Sequence, residues 1–351
     1  MRKNAAKGFS RVRAGFFLVV MGLAAMSVTS GRLWAKVDVS FRISGSYGQL
    51  MDGAGDVEKT RKGYESYFFD LNQFDNYTTT FDWKKPIKTN DFRAELTFRI
   101  TRNFALSIGS GYLCAKNAGS YTTDYSYAEG FEDVYLYEAK DYAGYSQNGT
   151  LSAIPITLDA YLFLPIGKKE TFTVFAHIGA GYYFGSLRFN LDTDRVLDIL
   201  ETTYGELSYR RESTYDIRMT ENIHSNSFGF QAGLGFDIKL TPTISIGAEA
   251  YGREVVFRNW IGSSVTKSDS WSKSWSFWMG DNNNSYSDTD STYGNLWTYE
   301  AGCSDEGNRY TTMWVLDEKP EGSCYHSVRK SSINLNSYGV SVSLNLHFKL
   351  F

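Results

Sequence analysis

The sequence predicts an all-β chain in which eight antiparallel strands close into an up-and-down barrel, with short turns at one end and long loops at the other. Three observations carry this expectation. Strict apolar–polar alternation recurs eight times. The gaps between these stretches are by turns very short and very long. The composition, with 25 Tyr, 24 Phe and 32 Gly against 5 Pro, favours pleated strands and tight bends over helices.

In chain order, the first strand sets Val37, Val39, Phe41, Ile43 and Tyr47 against Asp38, Ser40, Arg42 and Ser44. The second sets Phe92, Ala94, Leu96, Phe98 and Ile100 against Arg93, Glu95, Thr97 and Arg99, and the third Phe104, Leu106 and Ile108 against Ser107, Gly109 and Gly111. The fourth carries Ile154, Ile156, Leu158, Ala160, Leu162 and Leu164, opposed by Thr157, Asp159 and Tyr161. The fifth opposes Phe172, Val174, Ala176, Ile178, Tyr182 and Phe184 to His177, Gly179, Gly181 and Gly185. The sixth opposes Phe228, Phe230, Leu234, Phe236 and Ile238 to Gln231, Gly233, Gly235, Asp237 and Lys239. The seventh opposes Ile244, Ile246, Ala248 and Ala250 to Gly247, Glu249 and Arg253, and the eighth Val340 to Leu350 to Ser341, Ser343, Asn345, His347 and Lys349.

Short turns are expected at 101–103, 165–170 and 241–243, and long loops at 51–90, 117–150, 190–225 and 261–331. This rhythm suits a transmembrane barrel inserted from one side, with short periplasmic turns and long extracellular loops. Aromatic residues near both strand ends point the same way: Phe98, Phe104, Phe172, Phe236 and Phe348 at the turn side, and Tyr47, Tyr112, Tyr182, Phe184 and Tyr338 at the loop side. The competing arrangement is a soluble barrel with the apolar face inside.

Residues 1–35 have the form of a cleaved signal peptide, with a basic start (Arg2, Lys3, Lys7, Arg11, Arg13) and an apolar run from Ala14 to Val28. Cleavage is expected after Ala35 or after Ser30. Removing 1–35 takes six Lys/Arg and no acid from the 36 and 39 present, which leaves the mature chain at −9 and argues against nucleic acid as a partner. Export also permits disulfides, and Cys303 and Cys324 share one polar stretch that a bond between them would staple; two free thiols are the alternative.

On the stretches Thr173–Gly185, Phe228–Gly252 and Tyr338–Phe351, the chain resembles the small outer-membrane β-barrel domains, those of outer-membrane proteins A and X and the opacity-type barrels. The resemblance covers the strands only. It implies location in the bacterial outer membrane of a Gram-negative envelope, with outer-membrane lipid and lipopolysaccharide as surroundings and the barrel-assembly machinery as a partner. Phe351 departs from the family's closing pattern, one residue out of phase with Phe348 and Leu350.

The expected lumen carries Arg42, Arg93, Glu95, Arg99, Asp159, Asp237, Lys239, Glu249 and Arg253, a mixed-sign set that must pair if buried in so narrow a barrel. No nucleophile elbow, phosphate loop or metal-ligand spacing occurs, so no cofactor and no enzymatic activity are expected. The loops are rich in rings. Among them Tyr67, Phe69, Trp83, Trp271, Trp275, Trp278 and Trp297 are candidates for contacting a surface ligand, since rigid amphipathic rings give contact area at low entropic cost. Packing of these rings into a cap is the alternative. The expected function is non-enzymatic: surface loops for binding, adhesion or envelope integrity. The alternatives are a small porin-like channel for ions or apolar solutes, suggested by the glycines of the inner face, and a lipid-modifying enzyme, which rests on His177 alone.

Overall fold

A computed structural model describes residues 38–349 except 86, 87, 132–134, 168, 169, 205 and 304–308. The expected signal segment, Val37, Leu350 and Phe351 lie outside the described residues.

In chain order the elements are β1 (Asp38–Leu50), α1 (Asp56–Leu71), β2 (Tyr77–Trp83), β3 (Lys88–Arg99), β4 (Phe104–Phe131), β5 (Tyr135–Ile166), β6 (Phe172–Thr203) and β7 (Glu206–Lys239). They continue with β8 (Ile244–Phe257), β9 (Ile261–Ser276), β10 (Gly280–Ala301), β11 (Tyr310–Leu316), β12 (Tyr325–Lys330), β13 (Ile333–Asn334) and β14 (Ser337–Lys349). The expectation of eight strands is therefore corrected: fourteen occur among the described residues. Antiparallel pairing carries the chain from β1 through β3, β4, β5, β6, β7, β8 and β14 back to β1, so that a ring of strands closes. The other strands lie beyond the ring.

Strand β7 belongs to two structures at once. Its lower part, Gly229–Lys239, pairs with β8 in the ring, and its upper part, Tyr209–His224, pairs with β9 instead. From there β10 and β11 follow, so the sheet leaves the ring as a blade ordered β11-β10-β9-β7-β6-β5-β4. Segments 117–150 and 190–225 are not loops but continuations of β4, β5, β6 and β7; segment 261–331 holds β9 to β12, and 51–90 holds α1 and β2.

Around the ring the apolar side chains point outward. Ile108, Leu158, Leu234 and Val342 are 52%, 61%, 63% and 67% exposed, while Arg42, Thr157, Asp159, His177 and Gln231 are buried inside. This order is the reverse of a water-soluble domain and persists only where the outer surface meets an apolar solvent. Both sets of strand-end rings share the outer face, with Phe172 and Phe236 stacked at 5.6 Å and Tyr182 and Phe228 edge to face at 5.0 Å.

Higher up, the alternation changes phase. On β6 the apolar residues occupy even positions from Phe172 to Phe184 and then odd positions at Leu187, Phe189 and Leu191, while Arg188, Asn190 and Asp192 face out. Strands β4, β5 and β7 do the same, bringing Leu113, Leu151 and Ile223 inside. The outer face has passed into water, and the apolar face turns in to build an ordinary core. That core joins Leu50, Leu113, Leu151, Tyr183, Leu187, Ile223, Phe257, Trp260, Leu296, Ile333 and Leu335, each contributing roughly 1.5–3 kcal/mol when fully buried.

Helix α1 closes this core from the side. Asp56 and Glu58 lie in its first turn, where the helix dipole favours acids, and Arg61 reaches Glu58 (2.8 Å) and Glu65 (3.1 Å) along one face. Asp56 anchors the helix by accepting from both Arg329 Nη atoms and from the Ser332 N–H (2.7 Å). Gly63 lets α1 lie directly on β11, since a Cβ there would sit 2.8 Å from the Thr311 carbonyl oxygen.

Candidate functional site

The ring interior is filled in layers. At the turn end Tyr161, Phe163 and Phe175 form an aromatic floor, with Arg42 lying 4.4 Å over the Phe175 ring and Arg99 4.5 Å over Phe163. Above it the charges interlock. Arg93 bonds Asp159 at 2.5 Å and also Glu95; Arg253 bonds Asp91 at 2.5 Å; Arg42 lies 3.4 Å from Asp237 and 4.0 Å from Glu249. His177 bridges Glu249 through Nε2 (2.7 Å) and Asp159 through Nδ1 (3.4 Å). Tyr161 donates to Glu95, Gln231 to Asp159 and Asn345 to Asp237.

Seven of the nine residues expected in the lumen network are thus brought together. Two are corrected. Lys239 is exposed at the rim and forms no ion pair among the described residues, and Arg99 pairs with a ring rather than a carboxylate. Asp91, Tyr161, His177, Gln231 and Asn345 join the network without having been assigned to it. Asp91 was hidden at the end of an expected loop, although its alternation with Phe92 marks it as inward.

The inward glycines do not hollow the lumen. A Cβ at Gly233 would strike both His177 and Glu249, and one at Gly179 would strike Asp159. These positions lack side chains because neighbouring side chains occupy the space. The space left among Arg42, Arg93, Glu95, His177, Glu249 and Arg253 is about 10 Å³, at most what a single water occupies. Purified protein in planar bilayers is accordingly expected to show no ion-conducting openings; sustained unitary currents would mean that this layer rearranges.

A serine–histidine contact does occur, Ser245 Oγ to His347 Nε2 at 2.9 Å. Ser245 is buried and lies at the turn end, away from the outer face, and His177 contacts only carboxylates and Tyr161.

The rings of the upper part divide in two. Trp83 is buried, and Tyr67 is half-buried with its ring 5.0 Å from Tyr310, so Trp83 is corrected from surface contact to interior packing. Around it Tyr64, Phe68, Tyr121 and Tyr145 stack, Phe68 on Tyr121 at 4.4 Å and Tyr121 on Tyr145 at 4.3 Å. Phe69 is exposed, and Trp278 is 87% exposed beside Phe277 and Met279 in the β9–β10 turn. Trp271 and Trp275 are half-buried on β9, and Trp271 with Tyr215, Tyr286, Asp194 and Asp269 lines an open groove of about 500 Å³ across the blade. Trp297 lies half-buried beneath Lys330, 6.0 Å from its ring. Cys303 and Cys324 are joined as a disulfide beside β12, and Cys114 is unpaired.

One group of the blade core is out of place. Glu221 is 2% exposed on the inner face of β7, directly opposite Phe189, and among the described residues its carboxylate accepts one hydrogen bond, from the Val315 N–H (3.0 Å). Burial pushes its carboxyl up to about 7 from the ordinary 4.5, against the opposing pull of that N–H. A folded-state pKa above the unfolded one means that the folded chain holds the proton more tightly. Stability from this group is full below the unfolded value and is lost as pH rises from about 4.5 to 7, a change on the order of 3 kcal/mol. Protection of the blade-core amides, taken as the exchange rate relative to the intrinsic rate at each pH, should therefore be greater at pH 5 than at pH 8, and Glu221→Gln should remove most of that difference. An unchanged slope in the variant would contradict the assignment.

No family model matches the sequence, and no curated protein is similar to it. Among solved structures, the outer membrane protein OprG from Pseudomonas aeruginosa is similar at 10% identity and a TM-score of 0.27, covering 90% of this chain and 97% of its own. The outer membrane protease OmpT from Escherichia coli is similar at 7% and 0.22 (90% and 97%), and an outer membrane channel from Pseudomonas putida F1 at 8% and 0.15 (91% and 98%). At such scores the likeness assigns neither fold nor function; the closed ring and its outward apolar face carry the reading.

Proposed function

We propose that this chain is a non-enzymatic barrel of the bacterial outer membrane, in which the ring of eight strands spans the lipid and holds the β-blade outside the cell to bind a surface partner. The observation that supports it most is the inside-out ring, continued by strands far longer than a bilayer requires. A crossing takes about 9–11 residues, whereas β7 has 34. Residues 206–227 of β7, at about 3.3 Å each, reach on the order of 70 Å along the strand beyond the apolar band. The sealed lumen favours an anchor over a channel, and kinship with the small outer-membrane barrel domains is part of the same proposal. Lipopolysaccharide surrounds the ring in this arrangement, and the assembly machinery inserts it.

The test removes the blade in register. The hairpins are cut at the paired positions Thr122/Gly144, Asp192/Arg218 and Thr266/Asp290 and closed with two-residue turns. Cells displaying the shortened chain should keep a folded, heat-modifiable barrel and lose attachment to glycan- and protein-coated surfaces. Attachment equal to that of the full chain would reject the blade as the binding element.

A further inference from the structure

Between α1, β11 and the inner faces of β4 to β7 lies a cavity in which the centre of a water molecule has about 40 Å³ to move. A surface one water radius larger on every side encloses a small organic molecule. Its wall is mostly apolar and rich in rings, among them Tyr64, Trp83, Tyr121 and Trp314. The residues of this wall include side chains whose buried polar atoms have no hydrogen-bond partner among the described residues: Trp83 Nε1, Thr60 Oγ1, and both Oδ1 and Nδ2 of Asn117. Trp83 and Thr60 are 4% and 6% exposed, and native interiors rarely leave such groups unpaired, so a polar group of a molecule held beside them would complete their hydrogen bonds.

The same wall holds Glu221, 2% exposed and without an ion pair among the described residues. A carboxylate buried without a cation is costly, and a group of π faces around it attracts positive charge as well. Tyr64 stands between Trp83 and Tyr121, its ring 6.0 Å and 5.9 Å from theirs, with its hydroxyl turned to Thr312 Oγ1 (3.1 Å). The cavity therefore offers negative charge and aromatic faces for a cation, and the Trp83 and Asn117 N–H groups for an oxygen.

We propose that this cavity is a binding site for a small alkylammonium compound that also carries a hydroxyl or carbonyl oxygen. The ammonium group lies among the rings beside Glu221, and the oxygen accepts from Trp83 Nε1 and Asn117 Nδ2. A purely apolar guest would suit the rings but leave Glu221 and Asn117 unpaired, and an anion would be repelled by Glu221.

Choline and its neutral isostere 3,3-dimethyl-1-butanol have nearly the same shape and differ in charge, so titrating both into the refolded full-length chain by calorimetry at pH 8 tests the proposal. Choline should bind at least tenfold more tightly than the isostere. Glu221→Gln, nearly identical in size, should bring the two affinities within about twofold, and Asn117→Leu should weaken both while keeping the preference for the cation. Folding of each variant is checked by its heat-modifiable mobility; if Glu221→Gln does not fold, the Asn117→Leu result and the parent's selectivity decide. Equal affinity for both compounds in the parent, no binding of either, or a charge preference that survives Glu221→Gln would each overturn the assignment.

Discussion

Leu234→Arg is expected to cost about 2–4 kcal/mol of folding stability in lipid bilayers, the penalty for a cation on the lipid face near mid-depth. Leu234 lies between Phe228 and Ile238 in the outward band of β7 and is 63% exposed, so in water the same change would cost almost nothing. The expectation thus depends wholly on what solvent meets the ring. Asn190→Arg is the control: it lies outward on β6 above the change of phase and should stay within about 0.5 kcal/mol of the parent, as exposed substitutions do. Urea titration of folding into vesicles measures both. A Leu234→Arg chain as stable as the Asn190→Arg chain, or a parent that is folded and soluble without detergent, would refute the membrane ring. The neighbouring Gly235 gives a different failure from the one its place in the alternation suggests. It faces inward, but toward Phe175 and the Ala248 carbonyl rather than toward the charges, so a larger residue there strains the floor.

Arg253→Ala should cost about 3–5 kcal/mol, because it leaves the Asp91 carboxylate buried without its cation. Both residues lie almost wholly inside the ring, 5% and 7% exposed. The pair is also poorly completed, with Arg253 Nε and Nη1 and Asp91 Oδ1 lacking partners. The joint replacement Arg253→Met with Asp91→Leu should therefore cost less than Arg253→Ala alone, since it removes both charges and the unmet hydrogen bonds together. Equilibrium unfolding of the three proteins decides the matter. A double variant weaker than the single would show that the pair stabilises the ring outright.

The ring strands and the facing of their side chains were legible because an apolar outer face and a charged interior impose a strict period of two. The three short turns followed from the same pattern. What escaped was everything above the apolar band. In β4 to β7 the alternation persists, but its phase shifts at Leu113, Leu151, Leu187 and Ile223, and a search for one continuous apolar face stops there. Toward the tips of β9 and β10 no continuous apolar face runs: Ser268 to Ser276 sets Trp271 and Trp275 among Ser, Asp and Lys, and Asp281 to Thr292 is mostly exposed Ser, Asn, Asp and Thr. Helix α1 was hidden for a different reason. It packs through Val57, Tyr64 and Phe68 onto a core that no single segment reveals. Of the lumen network, residue types and facing were readable, but partners were not, since Arg253 and Asp91 lie on strands far apart in sequence and meet only across the closed interior.

The unbroken passage of β5, β6 and β7 from the apolar band into the blade determines how the molecule bears a mechanical load. The β5–β6 ladder runs in one register from Tyr135 opposite Thr203 to Ile166 opposite Phe172. Backbone hydrogen bonds in such a ladder lie perpendicular to the strands. A pull at the blade tip along the strands therefore loads many of them at once in shear instead of opening them one by one like a zipper. Among the described residues no hinge or linker separates the tip from the ring along these strands, so in the proposed arrangement tension reaches the ring without a soft joint to extend. Whatever load the blade takes, it transmits as a lever rather than a leash.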